Sequence, residues 1–158
     1  AGIVSPFISS SKNQLLHMFR RIKQFNQLPA AEKQILFLAW QRAWQVRISL
    51  WFYSYKQTRS RIEEKFASNE KKAENSVSAA RIATLVMVAS NWVMSSTCLS
   101  RALVGEWMLK EAGFHPSFHI GVKKGEENDF EAHAWLEIDG EKLIGGTAAE
   151  GFKQIYRQ

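Results

Sequence analysis

The spacing of the apolar residues changes once along this chain, and that change limits the folds open to it. As far as Gly113 they recur three and four residues apart, and from Ser117 onward they alternate with polar residues. Helices that precede all the strands predict an α+β domain, with three or four N-terminal helices followed by a small antiparallel sheet. In "SFHIGV" (117–122), Phe118, Ile120 and Val122 alternate with Ser117, His119 and Gly121, a strand pattern. "FEAHAWLEI" (130–138) repeats it, with Ala132, Ala134, Leu136 and Ile138 on one face and His133 and Trp135 on the other. Asp139–Gly140 is a strong hairpin turn, and "EKLIGG" (141–146) reads as the returning strand. "TAAEGFKQIYRQ" ends the sequence with little pattern.

The helical half opens with a flexible, basic segment, residues 1–27. Within it, Leu15, Leu16, Phe19, Ile22 and Phe25 fall at helical spacing with Arg20, Arg21 and Lys23 between them, a short amphipathic helix. Residues 28–66 give the longest helical signal, with Pro29 suited to the first helical position. Leu36, Trp40, Trp44, Ile48, Trp51 and Tyr55 form one stripe, read as core rather than as a platform for nucleic-acid bases. Gln41, Arg42, Gln45 and Arg47 interrupt every window of about 20 residues, so the stretch is not a transmembrane span. A polar linker, 67–76, leads to residues 76–94, apolar nearly all round from Ala83 to Ala89 and therefore a central core helix. The last helix starts near Cys98, where Ser95, Ser96 and Thr97 are all competent N-caps. Leu99, Ala102, Leu103, Trp107, Met108 and Leu109 supply its buried stripe, and Gly113 and Pro116 mark its end. The organisation expected is the segment 1–27 and a single domain, 28–158, made of a helical part (28–66) and a core (76–158).

Charge is unevenly spread over the 158 residues. Residues 1–66 hold eleven Lys and Arg against three Asp and Glu, a surplus of eight positive charges, and residues 67–158 hold ten against twelve. The basic half predicts an anionic partner or a solvated cationic face. Cys98 is the sole cysteine, so no internal disulfide can form, and a reducing, cytoplasmic setting is expected. No secretory signal pattern opens the sequence, and a lone cysteine offers no zinc cluster, so neither metal nor cofactor is expected.

Cys98 carries the chemical question. A cysteine in the first turn of a helix meets unsatisfied backbone N–H groups and the positive end of the helix dipole, a setting in which reactive thiols are found. Free cysteine is also a common buried spacer. A nucleophile needs a base close by, and the following strands supply His133. A helix cysteine followed by a strand histidine is the arrangement of papain-like and transglutaminase-like sites.

"STCLSRALVGEWMLKEAGFHPSFHIGV" followed by "FEAHAWLEIDGEKLIGG" resembles the leader peptidases of lasso peptide biosynthesis, the B proteins of the transglutaminase-like cysteine protease superfamily. The likeness lies in the Cys-Leu at the helix start, the Gly before the first strand, the strand ending in Gly-Val, and the Ala-His-Ala-Trp strand before an Asp-Gly turn. It covers roughly Ala80 to Gly146, and the helical stretch Leu28–Phe66 looks like the family's N-terminal helices. The resemblance implies a protease that removes the leader from a ribosomally made precursor peptide, with Cys98 as nucleophile and His133 as base. Backbone N–H groups of Cys98 and Leu99 would help to hold the oxyanion. Trp135 would pack beside His133, His119 would be structural, and His115 and His17 would lie at the surface.

The partners implied are the precursor peptide, a separate leader-recognition protein, since residues 1–27 are too few to supply that element, and an ATP-dependent lasso cyclase. Nucleic acid is not among them. This sequence departs from the family at the third catalytic member: the Asp expected on the strand after the turn falls at Gly145. Asp139 is a weak substitute, six residues along the strand from His133, about 20 Å at ~3.3 Å per residue, and a turn former in its own right. The orienting group is then expected to be a backbone carbonyl, a water or a polar side chain outside the motif. Competing readings are another superfamily amidase or acyltransferase, an inactive peptide-binding scaffold, and a nucleic-acid or membrane-surface binder built on residues 12–65. The intact Cys98 and His133 argue against the scaffold.

Overall fold

The structure is a computed structural model that describes residues 27–67, 77–124, 129–146 and 151–157. The amphipathic stretch 12–26 with His17, and the linker 68–76, lie outside the described residues. The chain divides into two compact units, residues 1–33 and 34–158. Of the first, the described part is its last few residues, where the Pro29 carbonyl accepts the Lys33 N–H at 3.1 Å as a helix begins.

Four helices are described, α1 (Ala30–Phe52), α2 (Tyr55–Ala67), α3 (Ala79–Ser90) and α4 (Cys98–Glu111). The single helical signal of residues 28–66 is therefore two helices, broken at Tyr53–Ser54. The cause is local. The Ser54 hydroxyl accepts the Gln57 N–H at 3.4 Å and the Gln57 side-chain oxygen accepts the Ser54 N–H at 3.1 Å. This capping box starts a new helix by satisfying its first N–H groups. Ser78 caps α3 by a single bond, its hydroxyl accepting the Arg81 N–H.

The six-residue stripe expected in the core does not form it. The buried residues of α1 are Ala39, Ala43 and Val46, whereas Trp51 is 63% exposed and Trp40 and Ile48 also face solvent. Leu36, Trp44 and Tyr55 are half-buried against the core. The helix is apolar on both sides, so periodicity alone could not choose between them; its small residues face inward, and its aromatic side faces out.

The strands are β1 (Ser117–Lys124), β2 (Phe130–Ile138), β3 (Glu141–Ile144) and β4 (Lys153–Arg157), in the order β3-β2-β1-β4. All pairings are antiparallel. β4, in the stretch that showed little pattern, pairs with the outer edge of β1. The Asp139–Gly140 turn has φ of 51° and 82°, positive at both positions as a type I′ hairpin requires. The hairpin is not regular beyond it. Ile138 pairs with Glu141 and Glu137 with Lys142, but Leu136 pairs with Ile144, so β3 carries a bulge and ends one residue before Gly145.

Helices α3 and α4 cover one face of the sheet. Phe118, Ala134, Leu136 and Ile144 meet Ile82, Val86, Ala102, Leu103 and Leu109 in one core. Gly105 sets the distance between α4 and the strands: a methyl there would collide with Ile144 Cδ1 and stand 2.8 Å from Leu136 Cδ1. The end of α4 that bears Cys98 is thereby held close to β2.

Candidate active site

Thr97 is the N-cap of α4, and Cys98 is its first residue. Thr97 and Ser100 form a reciprocal capping box, in which the Ser100 N–H reaches the Thr97 hydroxyl at 3.2 Å and the Thr97 N–H reaches the Ser100 hydroxyl at 2.9 Å. The cap serves those two donors. The N–H groups of Cys98 and Leu99 lie in the first turn, where no preceding carbonyl is available to them, and they make no hydrogen bond among the described residues. At the other end, the Gly113 N–H bonds the Lys110 carbonyl at 3.0 Å and the Phe114 N–H bonds the Leu109 carbonyl at 2.9 Å, a Schellman closure.

The Cys98 thiol is free and half-buried, and its sulfur lies 4.0 Å from the carbonyl oxygen of Ala132, the residue before His133. His133, in the middle of β2 opposite Gly121, presents Nε2 to the carbonyl oxygen of Gly145 at 2.9 Å. A carbonyl can only accept, so Nε2 carries the hydrogen, and in the neutral ring Nδ1 holds the lone pair that can take a proton. The fold thus brings Cys98 to the backbone beside His133 and gives the imidazole one tautomer.

Asp139 is not part of this group. It is exposed in the turn at the far end of β2. His115 is exposed, and His119 is 2% exposed beneath the sheet face that carries His133. Trp135 is buried, with its ring centroid 6.4 Å from that of His133 and nearly parallel to it. Two neighbours of the site were missed in the sequence. Phe152 packs its ring 5.4 Å from that of His133, and it lies just before the strand that showed no pattern. Glu137 accepts the Trp135 indole N–H at 3.0 Å; the alternation of β2 puts it on the face of His133, a signal that was available. Among the described residues no group of three His, Cys, Asp or Glu side chains could hold a metal ion, and no helix is long and apolar enough to cross a membrane.

Helices followed by a small antiparallel four-stranded sheet, with a cysteine at the start of the last helix and a histidine on the sheet, are consistent with a transglutaminase-like domain. The family model described as the transglutaminase-like superfamily matches residues 42–157, most of the chain, and the chain belongs to that superfamily, which includes cysteine proteases and acyltransferases. No curated protein and no solved structure matches it significantly.

Proposed function

We infer that this protein is a cysteine peptidase that removes the leader from a lasso peptide precursor. The observation that carries the reading is the position of Cys98 as the first residue of α4, its sulfur 4.0 Å from the carbonyl of Ala132, the residue before a histidine whose Nε2 meets the Gly145 carbonyl. The lasso assignment rests in addition on the sequence motifs shared with the leader peptidases. His133 Nδ1 takes the thiol proton, and the sulfur attacks the carbonyl carbon of the scissile peptide bond. The N–H groups of Cys98 and Leu99 stabilise the oxyanion. Collapse breaks the C–N bond, and the imidazolium gives its proton to the departing amine of the core peptide. Water then attacks the thioester, loses a proton to His133 and releases the leader acid, restoring the thiol.

The leader and a separate recognition protein would dock on the basic half, where α1 turns aromatic residues outward and Arg47 and Arg61 lie over the rings of Trp51 and Tyr53 at 5.6 and 3.8 Å. An ATP-dependent cyclase would then close the ring of the released core. The free thiol fits a reducing, cytoplasmic setting. The test is mass spectrometry of a cognate precursor incubated with this protein and its recognition partner. Release of leader and core is expected, and Cys98→Ala and His133→Ala should abolish it without unfolding the chain. Retained cleavage in Cys98→Ala would sink the assignment.

A further inference from the structure

The imidazole of His133 is held at one point by the Gly145 carbonyl, and a hydrogen bond to a neutral acceptor does not by itself fix the plane of the ring. Two rings bound the imidazole: Phe152, tilted 40° with its centroid 5.4 Å away, and Trp135, nearly parallel to it within a patch of four residues on adjacent strands in which His119 pairs with Trp135 and Gly121 with His133. The indole of Trp135 crosses this patch diagonally: a methyl on Gly121 would stand 2.9 Å from its Cζ3 and 3.0 Å from its Cη2. The two imidazoles, on the remaining corners, flank it. Their planes lie 8° and 15° from that of the indole, with centroids at 5.3 Å for His119 and 6.4 Å for His133.

The indole is pinned in turn by one carboxylate. Glu137 Oε1 accepts its N–H at 3.0 Å, and Glu137 Oε2 lies 3.3 Å from His119 Nε2. That second approach is off the line of a hydrogen bond, and neither ring nitrogen of the buried His119 makes one among the described residues. Other charged groups facing the stack are Lys142, its ammonium 6.0 Å from the indole, and Lys123, 4.9 Å over the ring of Phe152.

We propose that Glu137 is a positioning residue for His133, acting through the Trp135 indole. The proposal rests on the Cys98–His133 reading above. Where a triad would place a carboxylate on the imidazole N–H, this site has a carbonyl there, and its carboxylate sits one ring further back, where it fixes the stack that orients the base. His119 completes the stack as the second flanking ring.

Alkylation of Cys98 by iodoacetamide, followed by mass from pH 6 to pH 10 on the full chain, tests this without a peptide substrate. A thiol with no paired base is a few per cent ionised at pH 7 and largely ionised at pH 10. Glu137→Ala and Trp135→Phe, which keeps a ring but loses the N–H, should slow alkylation about tenfold at pH 7 and less than twofold at pH 10. Glu137→Gln retains an acceptor for the indole and should return to within about threefold of the parent. An unchanged profile in folded Glu137→Ala, an equal loss at both pH values, or a Gln variant no better than Ala would overturn the proposal. Should Glu137→Ala not fold, Glu137→Gln and Trp135→Phe decide alone. His133→Ala separates the two levels: if it leaves the profile unchanged, the dyad falls and the proposal with it, and if it slows alkylation while the Glu137 variants do not, the role of Glu137 alone is lost.

Discussion

The Nε2 of His133 stands 2.9 Å from the carbonyl oxygen of Gly145, the position at which the proposed kinship with leader peptidases would put an orienting Asp. The backbone explains why no carboxylate could be added there. Gly145 has φ of 75°, and a Cβ on it would lie 2.7 Å from the Ala134 carbonyl oxygen and 3.1 Å from His133 Nε2 itself. Gly145→Asp should therefore fail to build a triad. It is expected to lower stability by about 1–3 kcal/mol in urea titrations and to slow Cys98 alkylation at neutral pH by about tenfold or more as the imidazole is displaced. Faster alkylation in a folded Gly145→Asp protein would show that the loop can reorganise around a carboxylate.

Asp139→Asn should leave leader release within a few-fold of the parent. The residue sits at φ of 51° in the exposed turn, a conformation that Asn tolerates as well as Asp, so the hairpin is preserved. A loss of several orders of magnitude in a folded variant, measured by single-turnover cleavage, would place the carboxylate in the catalytic group and overturn the Gly145 account.

What could be read from the sequence follows from which signals are local. Thr97 and Ser100, the Asp139–Gly140 turn and the alternation in β1 and β2 act within a few residues, so the start of α4 with Cys98 in its first turn, the hairpin turn and the strand that carries His133 were legible. The Ser54–Gln57 box was equally local and was overlooked inside a longer periodic signal. The inward side of α1 was not legible, because Ala39 and Ala43 bury themselves through the close approach of other elements, which no spacing rule encodes. Nor was β4: with Ile155 exposed, it lacks an apolar alternation and exists through pairing with β1. The bulge that leaves Gly145 beyond the ladder goes with the burial of Ile144 in the core, which the two-residue turn alone does not specify.

The outward face of α1 gives a prediction that separates docking from folding. Trp51 and Phe52 are 63% and 76% exposed, and Arg47, Lys56 and Arg61 carry no carboxylate partner among the described residues. Trp51→Ser with Phe52→Ser should change stability by no more than about 0.5 kcal/mol, yet weaken binding of leader and recognition partner measured by calorimetry. That binding should also fall as salt rises, since screening shortens to roughly 3 Å at 1 M. A flat salt series would reduce the cations to a solvated face, and unchanged affinity in the double variant would remove the docking role of α1.

Stability should depend most sharply on a buried ion group that ties α2 to α4. The Arg59 guanidinium gives two hydrogen bonds to Glu106, at 3.2 and 3.3 Å, while Lys110 reaches the same carboxylate at 2.9 Å and the face of Phe118 lies 4.5 Å below the guanidinium. Burial alone pulls the Arg59 proton affinity down; the hydrogen bond and charge of Glu106 outweigh it, and the group stays above its ordinary range. A group raised in the folded state contributes its stability at every pH below its unfolded value and loses it only as pH rises past the raised one, so no pH dependence between about 5 and 9 should arise from Arg59. Removing Glu106 takes away the fully buried carboxylate and its two hydrogen bonds, and leaves the guanidinium with Glu63, 3.3 Å away at the partly exposed end of the group, and the Tyr55 hydroxyl. Glu106→Ala should therefore cost about 3–5 kcal/mol in urea titrations, while Arg59→Met combined with Glu106→Leu should cost less than the two single changes added together, because the pair removes the desolvated charges along with their attraction. Simple additivity in that cycle would mean that the two groups do not stabilise each other and that packing against Phe118 accounts for the burial of Arg59.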